Sequence, residues 1–201
     1  MISFEALFRS TCSERDKFLS RLFGIFNEAI VRIWCRQPQA EFEDLGRPTL
    51  KKQNASKPLT LDFTMRSRRS GDIFIGEMKC ELEFQHYKYL TLTTAQQLDH
   101  HTKEAFQWFL AFARNPAEFR VKCGGDLISP SGAILVWGRV AEEGRRAVLQ
   151  ETATRKISAV LSLEQMVADL QTWGSGEYEQ FIALREKWCT ELFSALRAGQ
   201  S

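Results

Sequence analysis

Cysteine and histidine are scarce in this chain. The five cysteines are odd in number and far apart, with no Cys-x-x-Cys pair: Cys12, Cys35, Cys80, Cys123 and Cys189. Only three histidines accompany them. Neither a disulfide framework nor a structural zinc site is therefore expected, because each needs a regular spacing of such residues. The pattern predicts a reducing, cytoplasmic location.

Long apolar runs and extremes of composition are missing too. The segment Met1–Lys17 is interrupted by six charged residues, so no signal peptide or membrane span is expected there. With 5 Pro, 12 Gly, 44% apolar and 26% charged residues, the chain is neither fibrous nor disordered in composition. Its 201 residues predict one globular domain, residues 1–201.

The net charge of +2 hides an uneven distribution. Residues 45–70 contain seven basic residues and Asp62 as their single acidic residue, which gives +6 and leaves −4 for the remainder. Basic residues in such a segment can bind phosphate groups of nucleic acid, although a charge run also occurs on plain solvated surfaces. The candidate phosphate contacts are Lys51, Lys52, Arg66, Arg68 and Arg69.

Apolar periodicity predicts the main elements. Apolar residues recur every three or four positions from Phe18 to Trp34, which indicates an amphipathic helix. The other expected elements are a strand at Glu41–Leu45, a loop at Gly46–Lys57, a helix from Thr93 or Thr94 to about Arg114, a strand pair at Phe119–Cys123 and Ala133–Val140, and helices at Leu163–Trp173 and Glu177–Arg197. This order predicts an α/β or α+β domain with helices on the faces of the sheet.

Two alternating segments, Leu59–Met65 and Ile73–Leu82, predict a hairpin with a polar turn between them. A turn centred between Arg69 and Ser70 places Asp62 directly opposite Glu77, and Lys79 on the same face. Opposed like charges are destabilising, so the pair calls for a cation such as Mg²⁺, which prefers carboxylate oxygens and water. Ile73 and Ile75 share this face, which indicates that it is partly covered. The alternative is a solvated face with a cross-strand ion pair to Lys79.

The sequence Asp62, fourteen residues, then Glu77-Met78-Lys79 resembles the PD-(D/E)XK, or restriction-endonuclease-like, nuclease superfamily. The order helix, three strands, helix, strand over residues 18–140 is similar to its common core, which leaves residues 160–198 as a C-terminal helical addition. The resemblance implies a mixed central sheet flanked by helices. It also implies Mg²⁺ ligation by Asp62, Glu77 and the Met78 carbonyl, with Mn²⁺ as a substitute, and Lys79 as the catalytic lysine. Leu61 stands where the family name implies Pro.

Two further residues match positions that some members of the superfamily use. Glu28 lies in the first helix, where an ion pair with Arg32 at i,i+4 is the alternative role. Gln97 follows the Glu-x-Lys strand, where a capping box with Thr94 is the alternative. His100 and His101 are expected at the surface or at a helix cap.

The sequence thus predicts an Mg²⁺-dependent nuclease that hydrolyses DNA by attack of metal-activated water. The alternative is a catalytically inactive nuclease-fold module that binds nucleic acid or mediates assembly. DNA is the expected partner and no membrane is expected. A homodimer or a larger nucleic-acid-processing complex is compatible with the closing helices. No Gly-x-x-x-x-Gly-Lys-Ser/Thr motif is present, so a motor function would need a partner.

Overall fold

The computed structural model describes residues 12–53, 55–79, 91–151 and 156–198. The helices are α1 (Ser13–Arg36), α2 (Glu104–Arg114), α3 (Glu142–Gln150), α4 (Leu163–Thr172) and α5 (Gly176–Ala198). The strands are β1 (Phe42–Asp44), β2 (Pro48–Lys52), β3 (Leu59–Thr60), β4 (Phe63–Ser67), β5 (Ile73–Lys79), β6 (Thr91–Leu92), β7 (Phe119–Cys123), β8 (Asp126–Ile128), β9 (Gly132–Trp137), β10 (Arg139–Val140) and β11 (Ile157–Ser162).

A five-stranded mixed sheet lies at the centre, in the order β1-β4-β5-β9-β11. Strands β1, β4 and β5 are antiparallel neighbours, whereas β5, β9 and β11 run parallel. Parallel neighbours need long crossover connections. Helix α2 lies within the connection from β5 to β9, and α3 within that from β9 to β11. The chain is therefore an α/β protein with a mixed central sheet flanked by helices.

Both faces of the central sheet are buried. On one face, Phe63, Met65, Ile134 and Val136 pack in one apolar cluster with residues of α1 and α4. On the other, Ile75, Leu135 and Trp137 pack with the phenylalanines of α2. Side chains on the middle strand β5 are therefore buried or half-buried whichever way they point, which matters for the charged residues that this strand carries.

A second, antiparallel sheet has the order β3-β2-β7-β8. Strand β2 lies where the sequence predicts a loop, since this segment is rich in Gly, Pro and Asn. It forms a strand because it pairs with β7, which is about 70 residues away along the chain. The expected pairing of Phe119–Cys123 with Ala133–Val140 is wrong: β7 pairs with β2 and β8, whereas β9 lies in the central sheet.

The helix expected from Thr94 to Arg114 is interrupted. A 3₁₀ helix (Ala95–His100) comes first, and α2 begins only at Glu104. His101 closes the 3₁₀ helix and is buried, with its ring against those of Phe106 and Trp137. Gln107 Nε2 donates to the His101 carbonyl (2.6 Å), which satisfies one backbone group at the break. His101 is thus at a helix cap, one of the two expected positions, and it is buried there.

The C-terminal elements are not a separate addition. Strand β11 is an edge of the central sheet, and α4 covers one face of it together with α1, to which it is joined by a Trp34 Nε1–Asp169 Oδ2 hydrogen bond (2.9 Å). Helix α5 runs antiparallel to α1, with ring contacts Phe18–Phe193 and Phe26–Phe181 along the pair. In the described parts of the chain, no helix combines the length and the apolar character that crossing a membrane needs.

Candidate active site

Asp62 lies where the chain leaves the second sheet and enters the central one. The Leu61 N–H donates to the Pro48 carbonyl (3.0 Å), which extends the β2–β3 ladder by one pair and sets Asp62 opposite Arg47. From Phe63 onward the chain pairs with β5, and the partners Phe63 and Gly76 set Asp62 opposite Glu77. The register predicted from the turn is therefore confirmed.

The Asp62 carboxylate closes the end of the β4–β5 ladder. A continued ladder would give the Met78 N–H to the Leu61 carbonyl, but that carbonyl accepts from Arg47 Nε (3.3 Å) instead. The Met78 N–H donates to Asp62 Oδ2 (2.9 Å), and Arg47 Nη2 lies 3.6 Å from Asp62 Oδ1. Backbone pairing on both sides thus fixes the direction of this carboxylate.

Glu77 and Lys79 are buried side by side on β5. Their residues are 3% and 6% exposed, so a solvated sheet face is wrong as a description of them. Lys79 Nζ donates to Glu77 Oε1 (2.8 Å) and to the Met78 carbonyl (3.1 Å), and it lies 5.0 Å from the centroid of the Phe106 ring. The ammonium group therefore has a fixed position between a carboxylate and an aromatic face.

The folded protein disfavours the ionised forms of both carboxyl groups, Asp62 and Glu77. Burial, followed by the charge of Asp62, raises the pKa of Glu77 to about 7, although the Lys79 ammonium acts in the opposite direction. Burial also raises the pKa of Asp62, against the Met78 N–H and Lys79, which favour its charged form. A cation between the two carboxylates would relieve this penalty, because it favours the ionised form of both.

The oxygen atoms of the pair fit a hard divalent cation. Glu77 Oε2 is buried and accepts from no described donor, and it can share a hydrogen bond with the Asp62 carboxyl group only while one of the two carries a proton, so the doubly ionised pair is costly unless a cation binds it. Across those same residues, no group of three or more His, Cys, Asp or Glu side chains could hold a metal. Asp62 and Glu77 would therefore be the side-chain ligands, which suits Mg²⁺ because this ion usually keeps several waters. The Met78 carbonyl retains a second lone pair beside its bond to Lys79.

Glu28 adopts the ion pair that was its alternative role and also lies close to the site. Its carboxylate is 3.3 Å from Arg32 Nη1, while Arg32 Nη2 donates to the Asp62 carbonyl (3.3 Å). Arg32 also lies 3.3 Å from Asp44 Oδ2. Arg32 thus links α1 and β1 to the backbone of Asp62.

Gln97 occupies the capping box rather than joining the carboxylates. Its Oε1 accepts the N–H groups of Thr93 (2.7 Å) and Thr94 (2.9 Å), and its Nε2 donates to the Thr91 carbonyl (3.0 Å). The alternative role in helix capping is confirmed by these contacts.

The predicted basic residues are distributed over two regions. Arg66 and Arg68 pair with Glu43, and Arg68 also donates to the Cys35 carbonyl. The turn that carries these arginines does not flank the carboxylates, because Ser67 is five positions from Asp62 along an extended strand, about 17 Å. Arg69 lies in the same turn and is exposed. The other two residues, Lys51 and Lys52, lie on β2 in the second sheet.

The site contains residues that the sequence reasoning missed. Arg47 contacts Asp62, and the Phe106 ring packs against Lys79. Recognising β2 as a strand would have identified Arg47, because the β2–β3 register sets it opposite Asp62. No comparable local signal identifies Phe106. It lies in the first turn of α2, and its ring contacts Lys79 of β5 only in the folded chain.

No protein-family model, curated protein or solved structure matches this chain. The class of the site is therefore defined by its own chemistry. It combines two converging carboxylates, one of them with a buried oxygen that accepts from no described donor, and a buried ammonium group held beside them.

Proposed function

We propose that this protein is a metal-dependent nuclease that hydrolyses phosphodiester bonds in DNA. Within that class, the proposal assigns it to the PD-(D/E)XK kind, with Asp62 and Glu77 as ligands of Mg²⁺ or Mn²⁺ and Lys79 as the catalytic lysine. The observation that carries the proposal is the pair of buried carboxyl groups of Glu77 and Asp62, set opposite each other with no described donor for Glu77 Oε2.

Each residue has a distinct task in this proposal. Asp62 and Glu77 would hold the ion, and the Met78 carbonyl would be a third oxygen ligand. When bound, Mg²⁺ supplies Lewis-acid activation of water and offsets phosphate charge. The Lys79 ammonium is held by Glu77 and by the Met78 carbonyl, so it is preorganised to orient the attacking water or to stabilise charge that develops on the phosphate.

The topology of the central sheet supports the same assignment. One helix (α1), three antiparallel strands (β1, β4 and β5), a second helix (α2) and a parallel strand (β9) occur along the chain in the order that the resemblance implies, with β6 and the strands of the second sheet inserted between them. The carboxylates lie on the middle strand and at the start of its antiparallel neighbour. A cytoplasmic location, where nucleic acid is accessible and thiols stay reduced, is part of the proposal.

A second candidate is a non-catalytic module of the same fold that binds nucleic acid or mediates assembly. It is favoured by one observation: Lys79 Nζ donates to Glu77 Oε1 (2.8 Å), so the buried carboxylate already has a counter-ion from the chain itself. Lys79 would then serve to neutralise Glu77 in the sheet. This candidate predicts binding without turnover.

Cleavage of DNA distinguishes the two candidates. Purified protein is incubated with plasmid, linear duplex and single-stranded DNA in Mg²⁺, in Mn²⁺ and in EDTA. Cleavage is expected with either metal, with loss of at least 100-fold in Asp62→Asn, Glu77→Gln and Lys79→Met. The matched control Glu143→Gln changes an exposed carboxylate on α3 and should retain full activity. Cleavage that survives all three site substitutions would overturn the assignment, and binding without any cleavage would favour the second candidate.

A further inference from the structure

The outer face of the second sheet is exposed and mostly polar. On β2 and β7 the inward positions Leu50, Phe119 and Val121 are buried in the core, so the alternate positions point to solvent. These outward positions are Thr49 and Lys51 on β2, Thr60 on β3, Arg120 and Lys122 on β7, and the exposed Leu127 on β8, which is the partner of Lys122. We call this surface the basic face.

The register brings its three cations together. Lys51 is the ladder partner of Arg120, and Lys122 is the partner of Thr49. Like charges that are directly opposed destabilise a sheet unless an anion lies over them. The one acidic residue within the four strands is Asp126, which is opposite Cys123 and so belongs to the inner side. No carboxylate on these strands therefore neutralises Lys51, Arg120 or Lys122, whereas Glu118, directly before β7, pairs with the neighbouring Lys52 (3.4 Å).

The basic face contains a groove and extends toward the candidate active site. The groove has a volume of about 420 Å³ and is lined by Lys51, Lys52, Gln53 and Arg120. Arg47 precedes Thr49 by two residues and lies 3.6 Å from Asp62. A row of cations therefore runs along β2 and β7 from Lys51 and Arg120, past Lys122, to Arg47 beside the carboxylates.

We propose that the basic face binds the phosphate backbone of nucleic acid and delivers it to Asp62 and Glu77. This inference rests on the proposed function. Residues two apart on a strand are about 6.7 Å apart, so the cations of the row are spaced along one line rather than clustered at one point. The row has one sign of charge and lies on a flat sheet, which suits a linear polyanion. The exposed turn at Arg69 is at the far end of the hairpin and is secondary.

The test is a triple variant, Lys51→Gln, Arg120→Gln and Lys122→Gln. Binding to labelled duplex DNA, single-stranded DNA and duplex RNA is measured by fluorescence anisotropy in EDTA at 50 to 300 mM salt. The matched control removes three exposed cations from α3 and α5: Arg146→Gln, Lys187→Gln and Arg197→Gln. Unfolding curves show whether each variant is folded, and the single variant Lys122→Gln is measured beside the triple one.

The triple variant is expected to weaken binding at least 10-fold at 100 mM salt. It should also reduce the slope of log affinity against log salt by about 2 to 3, since each lost phosphate contact removes about 0.9 in a duplex. Lys122→Gln should reduce the slope by about 1, and the control should change it little. Equal losses in triple variant and control would overturn the inference. The inference would also be overturned if wild-type protein bound none of the three nucleic acids but bound vesicles containing phosphatidylserine.

Failure of this inference can be separated from failure of the proposed function. Unchanged binding by the triple variant, together with cleavage that Glu77→Gln abolishes, refutes the basic face and leaves the nuclease intact. Binding that the triple variant loses, in a wild-type protein that never cleaves DNA with Mg²⁺ or Mn²⁺, supports the basic face and refutes the nuclease.

Discussion

Glu77 should make the metal-free protein less stable as pH rises. Its pKa is raised from an ordinary value of 4.5 to about 7 in the folded state, first by burial and then by the charge of Asp62. Between these two values the folded state holds a proton that the unfolded state has released, so stability falls as pH rises through this window. At about 1.4 kcal/mol per pKa unit, the loss amounts to about 3 kcal/mol by pH 8.

Glu77→Gln tests this magnitude because the amide keeps the shape of the side chain and can accept from Lys79, but has no proton to lose. The free energy of unfolding is measured by urea denaturation from pH 5 to pH 8.5 in EDTA, with tryptophan fluorescence as the signal. The difference between wild type and Glu77→Gln reports the coupled Glu77–Asp62 pair, because the substitution removes one carboxyl group together with its effect on the other. Glu143→Gln, at an exposed position on α3, should follow wild type.

Parallel profiles for wild type and Glu77→Gln would refute the reasoning, as would a wild-type stability that rises across the window. The same urea denaturation is repeated with a divalent cation as a second arm of the experiment. Addition of 10 mM Mg²⁺ at pH 8 should stabilise wild type by mass action and leave Glu77→Gln unchanged, because binding to the folded state alone raises its stability.

Two further predictions concern the site and the fold. Lys79→Met leaves the Glu77 carboxylate buried without its ammonium partner, so urea denaturation should show a loss of about 3 to 5 kcal/mol at pH 8 and a smaller loss at pH 5; equal losses at both values would contradict this. A Cβ at Gly144 would lie 2.2 Å from the Leu92 carbonyl oxygen, so Gly144→Ala should lower the free energy of unfolding by about 1 to 3 kcal/mol. Gly24→Ala on α1 meets nothing within 4 Å and should be neutral or stabilising by up to about 1 kcal/mol; similar losses at both glycines would be inconsistent with the packing.

The hairpin and its opposed carboxylates were predictable because two local signals agree. Alternation of apolar residues sets which face each side chain occupies, and the polar turn sets the register. Together they placed Asp62 opposite Glu77, as observed. Helices α1, α4 and α5 were equally predictable from the sequence, since each has a continuous apolar stripe or clear end signals.

The remaining features depend on contacts between distant parts of the chain. Strand β2 forms because β7 lies beside it, and β11 because β9 does, so neither segment needs a strong strand signal of its own. The break after the 3₁₀ helix reflects burial of His101 against Trp137, a residue of the central sheet. The basic face forms because the β2–β7 register sets Lys51 opposite Arg120. No local sequence pattern predicts this register, since the two residues are far apart in the chain.

Diffraction from crystals soaked in Mn²⁺, recorded at the manganese absorption edge, tests the central claim most directly. An anomalous peak within bonding distance of both the Asp62 and the Glu77 carboxylates is predicted in wild type, and its loss is predicted in Glu77→Gln crystals. The absence of a peak at this pair at millimolar Mn²⁺, with both carboxylates ordered, would contradict the proposed metal site and the nuclease mechanism that depends on it.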